Sequence, residues 1–186
     1  KVTMGIRTNP ILNVICRPII WAAQFIGRNY PETLVKMRYR ARFKKRLNLN
    51  NPRTLNEKIL HMSLRTDTTL WTRLADKYAV RGYVEECGLT DILVPLYGHW
   101  ESADDINFEH LPNSFVLKTV QGSGDIILVK DKNVVDIKQI RQQIDKSSKT
   151  KYGELEGGKH YMRIKPAIIA EGLMANDEIS SKYSTS

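Results

Sequence analysis

The 186-residue sequence predicts an α+β fold: a helical N-terminal region, then an antiparallel sheet with a glycine-rich hairpin and helices packed against it. Three observations carry this expectation. Over the first 87 residues, apolar side chains recur at helical spacing behind helix-start signals. Residues 115–131, FVLKTVQGSGDIILVKD, set two apolar runs on either side of a Gly/Ser tip, the pattern of a hairpin. Residues 167–170, AIIA, follow Pro166 as a last short strand leading into Glu171.

Taken in order, residues 11–26 hold Ile11, Leu12, Val14, Ile15, Ile19, Ile20, Trp21, Phe25 and Ile26, an amphipathic helix expected to break or start at Pro18. It has two readings: a helix in a membrane interface anchored by Trp21, or a helix packed on the domain or on another subunit, which is the simpler one. Pro31 opens a helix to about residue 47 with a Leu34, Met37, Ala41 stripe and Val35 and Tyr39 beside it. Thr54 and Glu57 form a capping box for a helix through Ile59, Leu60 and Leu64. A longer helix is expected over residues 69–87, stopped by Gly88. Residues 92–100 read as a strand interrupted at Pro95, and Ser102 as the cap of a short turn. After the hairpin, Asn133 or Asp136 starts a helix carrying Val135, Ile137, Ile140 and Ile144 to about residue 145. Residues 146–160, polar and glycine-containing, read as a mobile loop.

The net charge of +9 is uneven. Between Arg28 and Arg46 stand eight basic residues against one acid, Glu32. Such a face attracts anionic lipid, anionic polysaccharide or nucleic acid, while a solvated surface is the simpler reading. Nucleic acid ranks last, because Tyr39 and Phe43 sit at spacing that a core can claim. Cys16 and Cys87 are far apart without a CxxC, so neither a disulfide framework nor a zinc site is indicated, and a reducing cytoplasm fits best. His61, His99, His110 and His160 are scattered without ligand spacing. The apolar segment at residues 11–26 carries Arg17 and Pro18 and is too short to span a bilayer, so peripheral attachment at the inner membrane face is the most a membrane reading allows.

The glycine tip matches neither GxxxxGK[ST] nor GxGxxG, and after Gly124 and Asp125 four apolar residues run on as strand. Its backbone N–H groups form an anion-binding concavity beside the point charge of Lys118. A plain hairpin turn is the alternative.

The order of blocks decides between them. PRTLNEKI, LADKYAVRGYV, PLYGHWES, INFEHLPNSFVLK, GSGDIILVKDK and IKPAIIAEGL, all within residues 47–178, resemble the TupA-like ATP-grasp family of bacterial cell-surface polysaccharide (capsule, exopolysaccharide or teichuronic acid) biosynthesis. The resemblance implies the first part of an ATP-grasp fold over residues 69–178, after a basic helical region at 1–68 and before a tail at 179–186. It implies ATP as ligand, with Lys77 and Lys118 on the phosphates, and Gln121, Gly122, Ser123 and Gly124 closing over them. Glu171, Gly172 and Leu173 would lie along the adenine, and Glu178 would meet the ribose hydroxyls. Magnesium ligands are expected in a C-terminal half that this sequence lacks, so the chain as given is expected to be weak or inactive in catalysis. The resemblance further implies a carbohydrate or nucleotide-sugar substrate. Either ligation of an amine to a carboxylate sugar through an acyl phosphate, or glycosyl transfer, would fit; a non-catalytic nucleotide-binding or membrane-surface module is the remaining alternative.

Overall fold

The computed structural model describes residues 10–124 and 126–174, with side chains from residue 18 onward. Helix α1 (Pro10–Asn29) runs unbroken through Pro18, contrary to the expected break, so the lost backbone donor is borne inside the helix. Its last turn docks on a distant segment: a Cβ on Gly27 would lie 1.8 Å from the Glu154 carbonyl oxygen, a contact only glycine permits. Helix α2 (Pro31–Phe43) has proline in its first turn and buries Leu34, Val35 and Tyr39. The expected stripe is displaced, because Met37 and Ala41 face solvent, and the helix stops at Lys44, which adopts the left-handed conformation at φ 56°. Helix α3 (Leu55–Arg65) starts on the expected capping box: Thr54 accepts from the Glu57 N–H, and the Glu57 carboxylate accepts from the Thr54 N–H at 3.0 Å.

The single helix expected over residues 69–87 is two, α4 (Thr69–Ala75) and α5 (Ala79–Glu86). Asp76 turns extended between them and caps the second, its Oδ1 accepting from the N–H groups of Tyr78 and Ala79 at 2.8 and 3.1 Å. Gly88, at φ +74°, closes α5 as expected.

Four strands, β1 (Leu96–Trp100), β2 (Phe115–Thr119), β3 (Ile126–Val129) and β4 (Ile168–Glu171), form one sheet in the order β1-β4-β2-β3. Every neighbouring pair is antiparallel. The first strand begins after Pro95; Ile92, expected as its start, ends a helical turn (Thr90–Ile92) instead. Leu117 faces Ile127 on one neighbour and Ala170 on the other, so these side chains share a face. That face is covered by Ile140 and Ile144 of α6 (Ile137–Ser148), together with Ile106, Phe108 and Leu111, which makes the main core. Asp136 caps α6 by accepting from the N–H groups of Lys138 and Gln139.

Residues 146–160 are not a loop. They hold the end of α6, helix α7 (Tyr152–Glu156) and the start of α8 (Lys159–Met162). Their polar side chains have long-range partners: Glu154 pairs with Arg28 at 2.6 Å and Glu156 with Arg38 at 2.8 Å. Part of the basic face seen in the sequence is thereby neutralised from 118 to 126 residues away.

Candidate functional site

The second face of the sheet is where charge and exposed apolar surface meet. Val116 pairs with Leu128 and Glu171, and Lys118 pairs with Ile126 and Ile169, so these side chains share that face. Toward β4 it is closed, with Ile169 fully buried against Val120, Ile164 and Ala167. Toward the edge strand β3 it is open, with Ile126 49% and Leu128 46% exposed. Two aliphatic side chains left in water beside a charged group form a shelf suited to a flat, weakly polar ring.

The charged group is a triad. The Glu171 carboxylate accepts from Lys118 Nζ at 2.5 Å and from Arg81 Nη1 at 3.2 Å, while Arg81 Nη2 donates to the Val94 carbonyl at 2.7 Å. The Glu171 side chain is only 8% exposed; two cations compensate its burial, leaving a surplus positive charge. Lys118 is the member that reaches solvent, its side chain 26% exposed. An arriving anion therefore meets a lysine already held in place. Arg81 was not singled out from the sequence; its pairing with Glu171 spans 90 residues, and the only local hint was its place one helical turn after Lys77.

Lys77 sits at the break between α4 and α5. Its N–H donates to the Val120 carbonyl at 3.3 Å. Its ammonium donates to the carbonyls of Thr119 at 2.9 Å, Val120 at 3.4 Å and Gly122 at 2.5 Å. One side chain thus gathers three carbonyls of the turn between β2 and β3, and the helix break exists to deliver it there. In the same turn Gln121 and Gly122 are buried, Ser123 and Gly124 are exposed, and Gly124 takes φ +84°. Gln121 donates through Nε2 to the Ser148 carbonyl at 2.9 Å, tying the turn to the end of α6. Past Glu171, Gly172 donates its N–H to the Pro95 carbonyl at 2.8 Å, and a Cβ there would lie 3.2 Å from the Pro95 ring. Gly172 and Leu173 are half-buried. The sequence-predicted Lys118 and Glu171 are thus in contact, and Lys77 with Gln121–Gly124 forms the turn beside them; Glu178 lies outside the described residues.

His160 is held below the usual histidine range by burial and by Arg163, so it is neutral near pH 7. Among the described residues no group of three or more His, Cys, Asp or Glu side chains converges to hold a metal ion, and no helix is long and apolar enough to cross a membrane.

The glycine hairpin is thus gripped by one lysine while a second lysine stands on the open face of the sheet. In a comparison with protein families, the TupA-like ATP-grasp model matches residues 57–181, and the chain belongs to that family. Membership implies use of ATP and magnesium in general. Searches of curated proteins and of solved structures returned no match.

Proposed function

We propose that the chain binds ATP on the open face of the sheet. The observation that carries this reading is Lys118, fixed by Glu171 yet reaching solvent at the foot of the glycine hairpin, beside the exposed Ile126 and Leu128. Lys118 neutralises phosphate charge, the N–H groups of Gly122, Ser123 and Gly124 close over the phosphates, and the aliphatic pair lies against the adenine. Backbone groups at Glu171, Gly172 and Leu173 meet the purine edge, and Glu178 accepts from the ribose hydroxyls. Lys77 serves the same site by shaping the turn, with its ammonium within reach of the phosphates the turn covers. The described residues offer no group of three or more His, Cys, Asp or Glu side chains that could hold magnesium. Titration calorimetry with ATP and magnesium tests the reading. Losing the charge-assisted contacts of Lys118 costs about 1.5–3 kcal/mol, so Lys118→Ala is expected to weaken ATP roughly 10- to 100-fold. No binding by the wild type, or unchanged binding by the variant, rules it out.

The reaction we infer is activation of a sugar carboxylate. Its oxygen attacks the terminal phosphorus of ATP, ADP leaves, and an amine then displaces inorganic phosphate from the acyl phosphate to leave an amide in a bacterial surface polysaccharide. The family assignment supports this reading. Turnover of a nucleotide-sugar with no consumption of ATP would instead establish glycosyl transfer.

A separate observation favours attachment to an anionic membrane surface. Helix α1 exposes Ile19, Trp21 and Phe25, with the two rings stacked at 5.7 Å. At the end of α2 and just past it, Arg40, Arg42, Lys44, Lys45 and Arg46 have no carboxylate partner among the described residues. Exposed aromatic anchors together with unpaired cations fit an interface of acidic headgroups. Co-sedimentation with vesicles is expected to rise with anionic lipid and fall with salt; indifference to both discards the attachment.

A further inference from the structure

Of the three charged side chains around Glu171, Arg81 is the one whose donors are already spent inside the fold. Its side chain is 14% exposed, and both ends of its guanidinium are occupied, Nη1 by the Glu171 carboxylate at 3.2 Å and Nη2 by the Val94 carbonyl at 2.7 Å. The planar fork of an arginine reaches both acceptors at once. Val94 precedes Pro95, whose own carbonyl accepts from the Gly172 N–H at 2.8 Å. Arg81 therefore ties α5 to the entry of β1 and to the end of β4, one residue on from the carboxylate it holds.

The charges of the cluster give this inward-held residue a consequence for the open face. Lys118 and Glu171 alone, at 2.5 Å, would be a neutral pair, and an incoming anion would meet a cation already matched by a carboxylate. Arg81 shares that same carboxylate, so one positive charge is in excess, and Lys118 is the member of the cluster that reaches solvent. Lys118 and Arg81 have no second carboxylate partner among the described residues, so nothing there cancels the excess. Charges in a partly buried cluster are screened less than charges in open water, and the excess is felt where the face is open.

We propose that Arg81 sets the affinity of the open face for phosphate anions without touching them: by taking up the charge of Glu171, it leaves the charge of Lys118 free to act on the ligand. Arg81 works through the carboxylate, and its effect depends on that carboxylate being present. The identity of the anion as ATP rests on the function proposed above; the dependence of anion binding on Arg81 does not.

The test follows the amide signals of Gly122, Ser123 and Gly124 by NMR as inorganic tripolyphosphate is added to the full chain. Reading these amides separates the site from the basic run at the end of α2, which also attracts polyphosphate. Arg81→Met, which removes the charge, is expected to weaken tripolyphosphate by roughly fivefold or more. Arg81→Lys, which keeps the charge but not the fork, is expected to recover most of that loss. In Arg81→Met/Glu171→Gln the carboxylate goes with the guanidinium, the excess charge returns at Lys118, and affinity is expected to return to within roughly twofold of the wild type. A merely structural contact predicts the opposite, since the double variant removes both of its sides. Because the double variant leaves no unmatched carboxylate, its comparison with the wild type holds even where Arg81→Met does not fold. No response of the three amides in the wild type, an affinity unchanged by Arg81→Met, or a double variant that binds at least fivefold more weakly than the wild type overturns the proposal. Tripolyphosphate that follows the expected order while ATP does not bind leaves Arg81 in this part and removes the nucleotide reading; ATP that binds with an affinity indifferent to Arg81 does the reverse.

Discussion

Replacing Lys77 with Met isolates the part of the site that is built by a single side chain. The ammonium donates to three carbonyls, of Thr119, Val120 and Gly122, in a turn whose Val120, Gln121 and Gly122 are buried. Methionine keeps the length and removes every donor. A hydrogen bond from a charged donor contributes about 1.5–3 kcal/mol, but three bonds sharing one ammonium do not add, and the Thr119 and Val120 carbonyls lie at the longer distances. A loss of about 3 kcal/mol is expected. For a chain of this length that corresponds to a fall in Tm of roughly 6–12 °C. The defect should also be local, so amide hydrogen exchange in residues 120–124 is expected to quicken more than exchange in β4, and ATP affinity to drop with it. Lys77→Arg, which keeps the charge on a bulkier fork, should recover part of the stability. A Tm lowered by less than about 2 °C, with exchange in the turn unchanged, would refute the role assigned to Lys77.

Three other substitutions probe independent parts of the molecule. Glu171→Gln leaves Arg81 and Lys118 facing each other without their carboxylate, and urea denaturation should show a loss of about 3–5 kcal/mol; a change under 1 kcal/mol would remove the triad as a structural unit. Gly27→Ala forces a methyl into the Glu154 carbonyl, so the α1–α7 contact should loosen at about 1–3 kcal/mol, read as faster exchange across residues 152–156; unaltered exchange there contradicts the packing. Glu57 titrates below 4.5, the ordinary glutamate value, because the backbone N–H groups of Thr54 and Arg53 donate to its carboxylate. Its folded pKa is depressed, so its contribution is fully present above that ordinary value and is lost as pH falls through the folded value. The Tm gap between wild type and Glu57→Ala should therefore narrow from pH 7 to pH 3; a constant gap would show that the charge does not contribute.

Signals confined to a few neighbouring residues were legible in the sequence. The Thr54–Glu57 box, the Ser102 cap, the Asp136 cap and the hairpin around Gly124 each depend on partners within a few positions, and each forms as read. What escaped depends on contacts made across the fold. Nothing local in LADKYAV marks a helix break, since the turn carbonyls that hold Lys77 lie 42 to 45 residues further on. The polar stretch at 146–160 looks unstructured until Arg28 and Arg38 reach Glu154 and Glu156. Of the candidate site, Lys118 and Glu171 were proposed through the order of the blocks, and the structure brings them into contact. Arg81 was not, nor was the exposure of Ile126 and Leu128, because a run of four apolar residues does not reveal which of its faces the sheet leaves open.

The central claim, that the open face of the sheet is a nucleotide site, is tested most directly by following backbone amides and isoleucine and leucine methyls by NMR while ATP and magnesium are added. The expected result is a cluster of shifts at Gly122, Ser123 and Gly124 and at the methyls of Ile126 and Leu128, all reduced in Lys118→Ala. Shifts confined to other parts of the chain, or none at saturating nucleotide, would contradict it.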